Sequence, residues 1–232
     1  MKFGGLQKNS LLDYPGKICA ILFACGCNFT CPFCHNPQLV RNWNKSTAVF
    51  DDKKVYAFLK DRRDFIEGVV ISGGEPTLQE DLAAVCRRIK ALGFAVKVDT
   101  NGSRPKVIRR LIDQNLVDYF AMDIKALPVD YDPLIQKHCR PEDLEESIRI
   151  IMDSAPAYEF KTTCVRPLVS ESTIVEISRL IRGARLYVLQ QFHNTGVLEP
   201  DFFEKFPDQY RRQDLVKLKA IAEPRVQVCK IR

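Results

Sequence analysis

The sequence predicts an α/β fold, an open partial (β/α)6 TIM-like barrel of parallel strands, and three observations predict it. Six short apolar runs, rich in β-branched residues, recur along the 232 residues. Six longer, charged, helix-like stretches alternate with them, as strands joined by crossover helices do. Six strand–helix units are fewer than the eight that close a full barrel. The sheet is therefore expected to stay open, with a doubly wound sheet as the alternative.

The strand runs are 18–24, 68–72, 95–99, 117–124, 158–163 and 186–191. Each is nearly continuously apolar, as strands covered on both faces are. The first leads through a cysteine-rich loop to a helix over 53–61. The second precedes a helix over 81–92, in which Leu82, Val85, Cys86 and Ile89 fall at i, i+3, i+4 and i+7. Gly93 follows where a helix C-cap glycine belongs. The third and fourth strands precede helices over 106–115 and 142–153. Pro105 and Pro141 stand at their starts, where a missing N–H costs nothing. Helices over 172–182 and 211–222 follow the last two strands. A long loop over 196–209, with Pro200 and Pro207, comes before the final helix, and the alternating tail 225–231 suggests a short edge strand. No linker is long or polar enough to divide the chain. Residues 1–232 are expected to form one domain, with a core over about 17–193 and a C-terminal helix and tail over 197–232.

Apolar residues make up 46% of the chain and charged residues 28%, ordinary values for a soluble globular protein. A chain of this length buries its core without disulfides. Nine cysteines is an odd count, and no apolar leader follows Met1-Lys2-Phe3-Gly4-Gly5. No apolar run is long enough to span a membrane. A cytoplasmic protein with reduced thiols is expected, and clustered cysteines there bind metal or do chemistry. The net charge of +6 is spread over arginine pairs such as Arg87-Arg88 and Arg109-Arg110, without a basic block. These read as solvated helix faces, so neither a membrane nor a nucleic-acid partner is expected.

Ligands of parallel α/β folds gather beyond the C-terminal ends of the strands. The motifs fall there. After the first strand, Cys27, Cys31 and Cys34 form C-x3-C-x2-C. Thiolates favour soft metals and iron–sulfur clusters, and three of them in one short loop leave a fourth iron open for a substrate. Zinc is the competing reading, but its C-x2-C pairs usually come in twos or with histidines at other spacings. Cys25 is a rival ligand by proximity. Cys27 is preferred because it supplies the three-residue gap. After the second strand stands Ser72-Gly73-Gly74-Glu75-Pro76, whose glycines allow close backbone approach. Glu75 offers a carboxylate to an ammonium group. Asp99-Thr100-Asn101-Gly102 follows the third strand and Met122-Asp123-Ile124-Lys125 the fourth. Each of these could also be an ordinary turn or cap.

The C-x3-C-x2-C loop, with Phe33 before its last cysteine, resembles the signature of the radical S-adenosylmethionine superfamily. The resemblance implies a [4Fe-4S] cluster on Cys27, Cys31 and Cys34 that cleaves S-adenosylmethionine to a 5'-deoxyadenosyl radical. It implies that the Ser72, Gly73, Gly74 and Glu75 segment binds the methionine amino group. The segments at Asp99, Thr100 and Asn101 and at Asp123 and Lys125 are similar to those of glycyl-radical activating enzymes, where they line the ribose and carboxylate side. There Asp99, Thr100 and Asp123 could also hold a monovalent cation. Lys161 and His193 match strand-end positions near the adenosyl group, although Lys161 stands where arginine is more usual. The opening Leu6–Lys17 stretch is similar to that of anaerobic ribonucleoside-triphosphate reductase activating proteins.

The resemblance thus implies an oxygen-sensitive radical oxidoreductase. Its partners would be a glycyl-radical enzyme, of the anaerobic ribonucleotide reductase type, and a ferredoxin or flavodoxin donor. The radical is the cofactor's, so no catalytic acid or base is assigned. A small molecule, a nucleobase or a tRNA is the alternative substrate. A non-catalytic metal-binding scaffold is the alternative of another class. Cys19, Cys86, Cys139, Cys164 and Cys229 form no second cluster motif and are expected as small core residues.

Overall fold

In the computed structural model, which describes residues 1–41 and 50–232, the chain forms one eight-stranded sheet. Its strands are β1 (Phe3–Ser10), β2 (Cys19–Ala24), β3 (Gly68–Gly73), β4 (Ala95–Thr100), β5 (Tyr119–Asp123), β6 (Tyr158–Cys164), β7 (Tyr187–Gln191) and β8 (Cys229–Ile231), side by side in chain order. β1 runs antiparallel to β2, and every later neighbour is parallel. Among the described residues β1 and β8 do not pair, so the sheet stays open. The six strands β2 to β7 are the six predicted.

The helices are α1 (Pro37–Arg41), α2 (Asp52–Asp61), α3 (Leu82–Ala91), α4 (Pro105–Asp113), α5 (Tyr131–Ile135), α6 (Pro141–Ser154), α7 (Glu171–Leu180), α8 (Pro200–Glu204) and α9 (Arg212–Ala222). Of these, α2, α3, α4, α6, α7 and α9 are the six predicted crossovers. Their ends follow local chemistry. Asp51 caps α2 by accepting from the Lys53 N–H at 2.9 Å. Ser170 and Thr173 form a capping box on α7. Gly93, at φ +92°, ends the turn after α3 by donating to the Lys90 carbonyl.

Side chains alternate across the sheet. Ala20, Leu22, Val69, Ile71, Val96, Val98, Phe120, Met122, Phe160 and Leu189 face the helices and form the main core with Val55, Leu59, Val85, Ile89, Ile108, Ile148, Ile177 and Leu215. The alternate residues line the concave face. Its lower part is a small apolar cluster of Tyr14, Cys19, Ile21 and Val70. Higher up, the concave face is charged: Lys97, Asp99, Asp123, Glu159 and Lys161 occupy it. The expectation of strands apolar on both faces is therefore corrected for β4 to β6, whose second face carries paired charges.

Sequence reading did not assign β1. Its FGGLQKNS segment has two glycines and an exposed Gln7-Lys8-Asn9 stretch, as an edge strand does. The short helices α1, α5 and α8 were also not predicted, because one-turn helices are set by tertiary contacts. α8 lies inside the expected 196–209 loop. β5 begins at Tyr119, not at 117, because the Asp118 carboxylate accepts from the Val96 N–H at 2.7 Å in place of a ladder partner. β8 occupies only the end of the expected tail strand, after a 3-10 turn at Glu223–Arg225. Cys19, Cys86, Cys139, Cys164 and Cys229 are buried free thiols, as expected.

Candidate active site

The strand-end loops meet in one open pocket at the C-terminal edge of the parallel strands. Cys27, Cys31, Cys34 and Phe33 line it from the loop after β2. Backbone bonds tie this loop to the one after β3. Gly74 N–H donates to the Ala24 carbonyl and Glu75 N–H to the Gly26 carbonyl, both at 2.8 Å. Gly26 N–H donates to the Leu39 carbonyl at 2.9 Å, so α1 holds the far side. A Cβ on Gly74 would collide with the Gly26 carbonyl oxygen, which explains glycine there.

The three thiols suit an iron–sulfur cluster. The Phe29 N–H points at Cys27 Sγ and the Asn36 N–H at Cys34 Sγ, each at 3.4 Å. Such donors favour sulfur that carries negative charge and tune a bound cluster. Burial pushes the Cys27 thiol up to about 12 and the Cys31 thiol up to about 11. The thiols therefore stay protonated until a metal displaces the protons. Lys125, whose ammonium lies 5.6 Å from the Phe33 ring centroid, partly offsets burial at all three. Cys25, the rival, is buried and does not line the pocket.

Glu75 is 1% exposed. Its Oε1 accepts from Thr77 N–H at 3.0 Å, Thr77 Oγ1 at 2.5 Å and Thr100 Oγ1 at 2.8 Å, and its Oε2 from Asn101 N–H at 2.7 Å. Burial raises its pKa despite these donors. The carboxylate thus clamps the loop after β3 to the end of β4. Asn101 Nδ2 donates to Asn28 Oδ1 at 3.0 Å, and Asn28 Nδ2 to Ser103 Oγ at 2.9 Å, which joins the cysteine loop to the same clamp.

A row of charges lies beneath the pocket. Lys97 Nζ is 2.6 Å from Asp99 Oδ1, and Ser72 Oγ donates to Asp99 Oδ2 at 2.8 Å. Lys161 Nζ stands 3.8 Å from Asp99 Oδ2 and 3.5 Å from Asp123 Oδ1, and Lys125 Nζ is 3.2 Å from Asp123 Oδ2. Burial alone would raise the Asp99 carboxyl, but Lys161 and Lys97 outweigh it and hold it at about 2. Lys125 and Lys161 likewise hold Asp123 down against burial.

Of the sequence-predicted residues, Phe33, the three thiols, Ser72, Gly73, Gly74, Glu75, Asp99, Thr100, Asn101, Asp123, Lys125 and Lys161 all line this pocket. His193 does not. Its side chain is exposed, and its carbonyl oxygen lies 2.8 Å from His35 Nε2. Sequence reading missed His35, Asn36, Thr163 and Gln190, which also line the pocket. Asn36 Nδ2 donates to the Gly73 carbonyl at 3.2 Å. It missed Lys97 and Glu159 as well. The alternation Ala95-Lys97-Asp99 against Val96-Val98 in β4 was the signal that could have placed Lys97 on the concave face.

An open parallel α/β sheet, with a three-cysteine loop and strand-end polar groups around one pocket, defines a class of cofactor-dependent enzyme. Residues 21–181 match the Radical SAM superfamily, and the chain belongs to the radical S-adenosylmethionine superfamily. Members use a [4Fe-4S] cluster and S-adenosylmethionine, and these are the cofactors of this radical enzyme. The chain is 35% identical over 208 residues to a Methanocaldococcus jannaschii protein provisionally named a glycyl-radical enzyme activating enzyme, over 88% of this chain and 84% of that one. It is 27% identical over 211 residues to 7-carboxy-7-deazaguanine synthase of Thermococcus kodakarensis, over 80% and 79% of the two chains. Streptococcus suis SuiB bound to its precursor peptide SuiA has the same fold, with a TM-score of 0.68 at 15% identity, over 91% of this chain and 48% of SuiB. Among the described residues no helix is long and apolar enough to cross a membrane.

Proposed function

We propose that this radical S-adenosylmethionine enzyme is a glycyl-radical activating enzyme. Cys27, Cys31 and Cys34 hold the cluster. The loop at Gly73 and Gly74 receives the methionine part of the cosubstrate, and Asp99, Asn101, Asp123 and Lys125 surround the remainder. The bound cofactors supply a 5'-deoxyadenosyl radical, and the protein orients it and excludes side reactions. The hydrogen removed is that on a glycine Cα of a partner enzyme, and a ferredoxin or flavodoxin supplies the electron.

The observation that carries this reading is the match to the M. jannaschii protein over most of both chains. The open pocket is consistent with it, since a peptide loop can reach a wide mouth. Anaerobic reconstitution followed by incubation with a candidate glycyl-radical enzyme, S-adenosylmethionine and a reductant tests it. A glycyl-radical EPR doublet on the partner is expected. 5'-Deoxyadenosine release that needs only a small molecule, with no radical on any protein partner, overturns it.

The match to 7-carboxy-7-deazaguanine synthase favours a second reading, a small heterocyclic substrate. The same experiment separates the two, because only that substrate class would turn over without a protein partner.

A further inference from the structure

A buried ammonium must be matched by an anion, because its isolated charge is costly away from water. Lys97 is such a group. It precedes Asp99 by two residues in β4, so both side chains face the concave side. Its side chain is 2% exposed, and its Nζ lies 2.6 Å from Asp99 Oδ1 and 3.9 Å from Glu159 Oε1. Glu159 is paired on its other side by the Arg232 guanidinium at 3.1 and 3.2 Å. From Arg232 the signs alternate through Glu159, Lys97, Asp99, Lys161 and Asp123 to Lys125.

The residues do not fit a monovalent metal ion at Asp99, Thr100 and Asp123. Four cations in this row already face three carboxylates. The Thr100 hydroxyl is turned to Glu75 at 2.8 Å. A metal ion there would displace the Lys97 or Lys161 ammonium from Asp99, or add positive charge to a low-dielectric row that already holds four cations. We propose that Lys97 is a positioning residue that serves as the resident counter-cation of Asp99, so that the cosubstrate site takes no monovalent metal ion. Lys97 and Ser72 each hold one oxygen of Asp99, which fixes the carboxylate at the pocket floor. Lys161 bridges it to Asp123.

The test uses cluster-loaded enzyme under anaerobic conditions. S-adenosylmethionine affinity and melting temperature are measured in choline, sodium and potassium chloride at one ionic strength, with thallium NMR as a direct probe of a bound monovalent ion. Affinity within about twofold across the salts and no bound thallium are expected. Stoichiometric thallium binding, or a loss of about fivefold or more in choline, overturns the proposal. In Lys97→Ala, affinity in choline is expected to fall about tenfold and to recover when ammonium or potassium is added. A loss that no cation restores means that Lys97 only supports the fold, and overturns its positioning role. Should that variant not fold, Lys97→Arg decides: retained salt independence supports the proposal, and a new potassium requirement overturns it.

Discussion

Individual side chains in the pocket divide into groups that await a cofactor and groups already spent on the protein. Cys27, Cys31 and Cys34 are of the first kind. Replacing any one by Ala is expected to abolish the visible absorption of the reconstituted cluster, whereas Cys25→Ala should keep it, since Cys25 stands outside the pocket. Ultraviolet–visible spectra after anaerobic reconstitution check both outcomes. Glu75 is of the second kind, with every oxygen engaged by this chain's own donors. Glu75→Gln would set an NH2 group against a buried N–H or hydroxyl donor. A loss of about 1–3 kcal/mol in unfolding free energy is expected even without cofactors, by denaturant titration of the apoprotein. Sequence reading found Glu75 from its motif, as an acceptor for an ammonium group of the ligand, and did not find these bonds within the protein. The bonds to Thr100 and Asn101 lie 25 and 26 residues away, and no local pattern announces them.

At the scale of elements, the site depends on how closely the loop after β2 approaches the loop after β3. Gly74→Ala would force these backbones apart, because the new methyl group meets the Gly26 carbonyl and not a movable side chain. A destabilisation of about 1–3 kcal/mol and weaker cluster retention are expected, by thermal melting and iron content. Gly102 should resist substitution for a different reason, its left-handed φ of +80°, since a Cβ there would meet only the movable end of the Met122 side chain. Element order and type were readable because each parallel strand is a short apolar run and each crossover helix a longer amphipathic one. β1 was not readable. Its pairing to β2, from Phe3 with Ala24 to Ser10 with Cys19, carries register shifts at its glycines and at its end, so it shows no clean alternation.

For the molecule as a whole, the alternating charges on the concave face couple stability to pH. Asp99 is held at about 2 against an ordinary 3.8, so its folded pKa is depressed. The stabilisation is fully present above about pH 4 and is lost as pH falls through about 2. Asp123 shifts in the same direction. Wild-type unfolding free energy is expected to fall between pH 4 and 2 by roughly 2 kcal/mol more than that of Asp99→Asn. Denaturant titrations across that range, on both proteins, check the sign and the size.

By itself, the sequence determined the order of six strand–helix units, the openness of the sheet and the strand ends at which the cysteine, glycine and aspartate motifs stand. These follow from local periodicity and from counting, and neither needs a distant contact. Only the tertiary structure decided what the charged residues face. Parallel register sets Asp123 beside Lys161 and Asp99 beside Ala121, so side chains from β4, β5 and β6 converge on one concave wall. Lys97, unremarkable in a list of lysines, becomes the ammonium under Asp99 because alternation turns it inward, where burial sets it between Asp99 and Glu159.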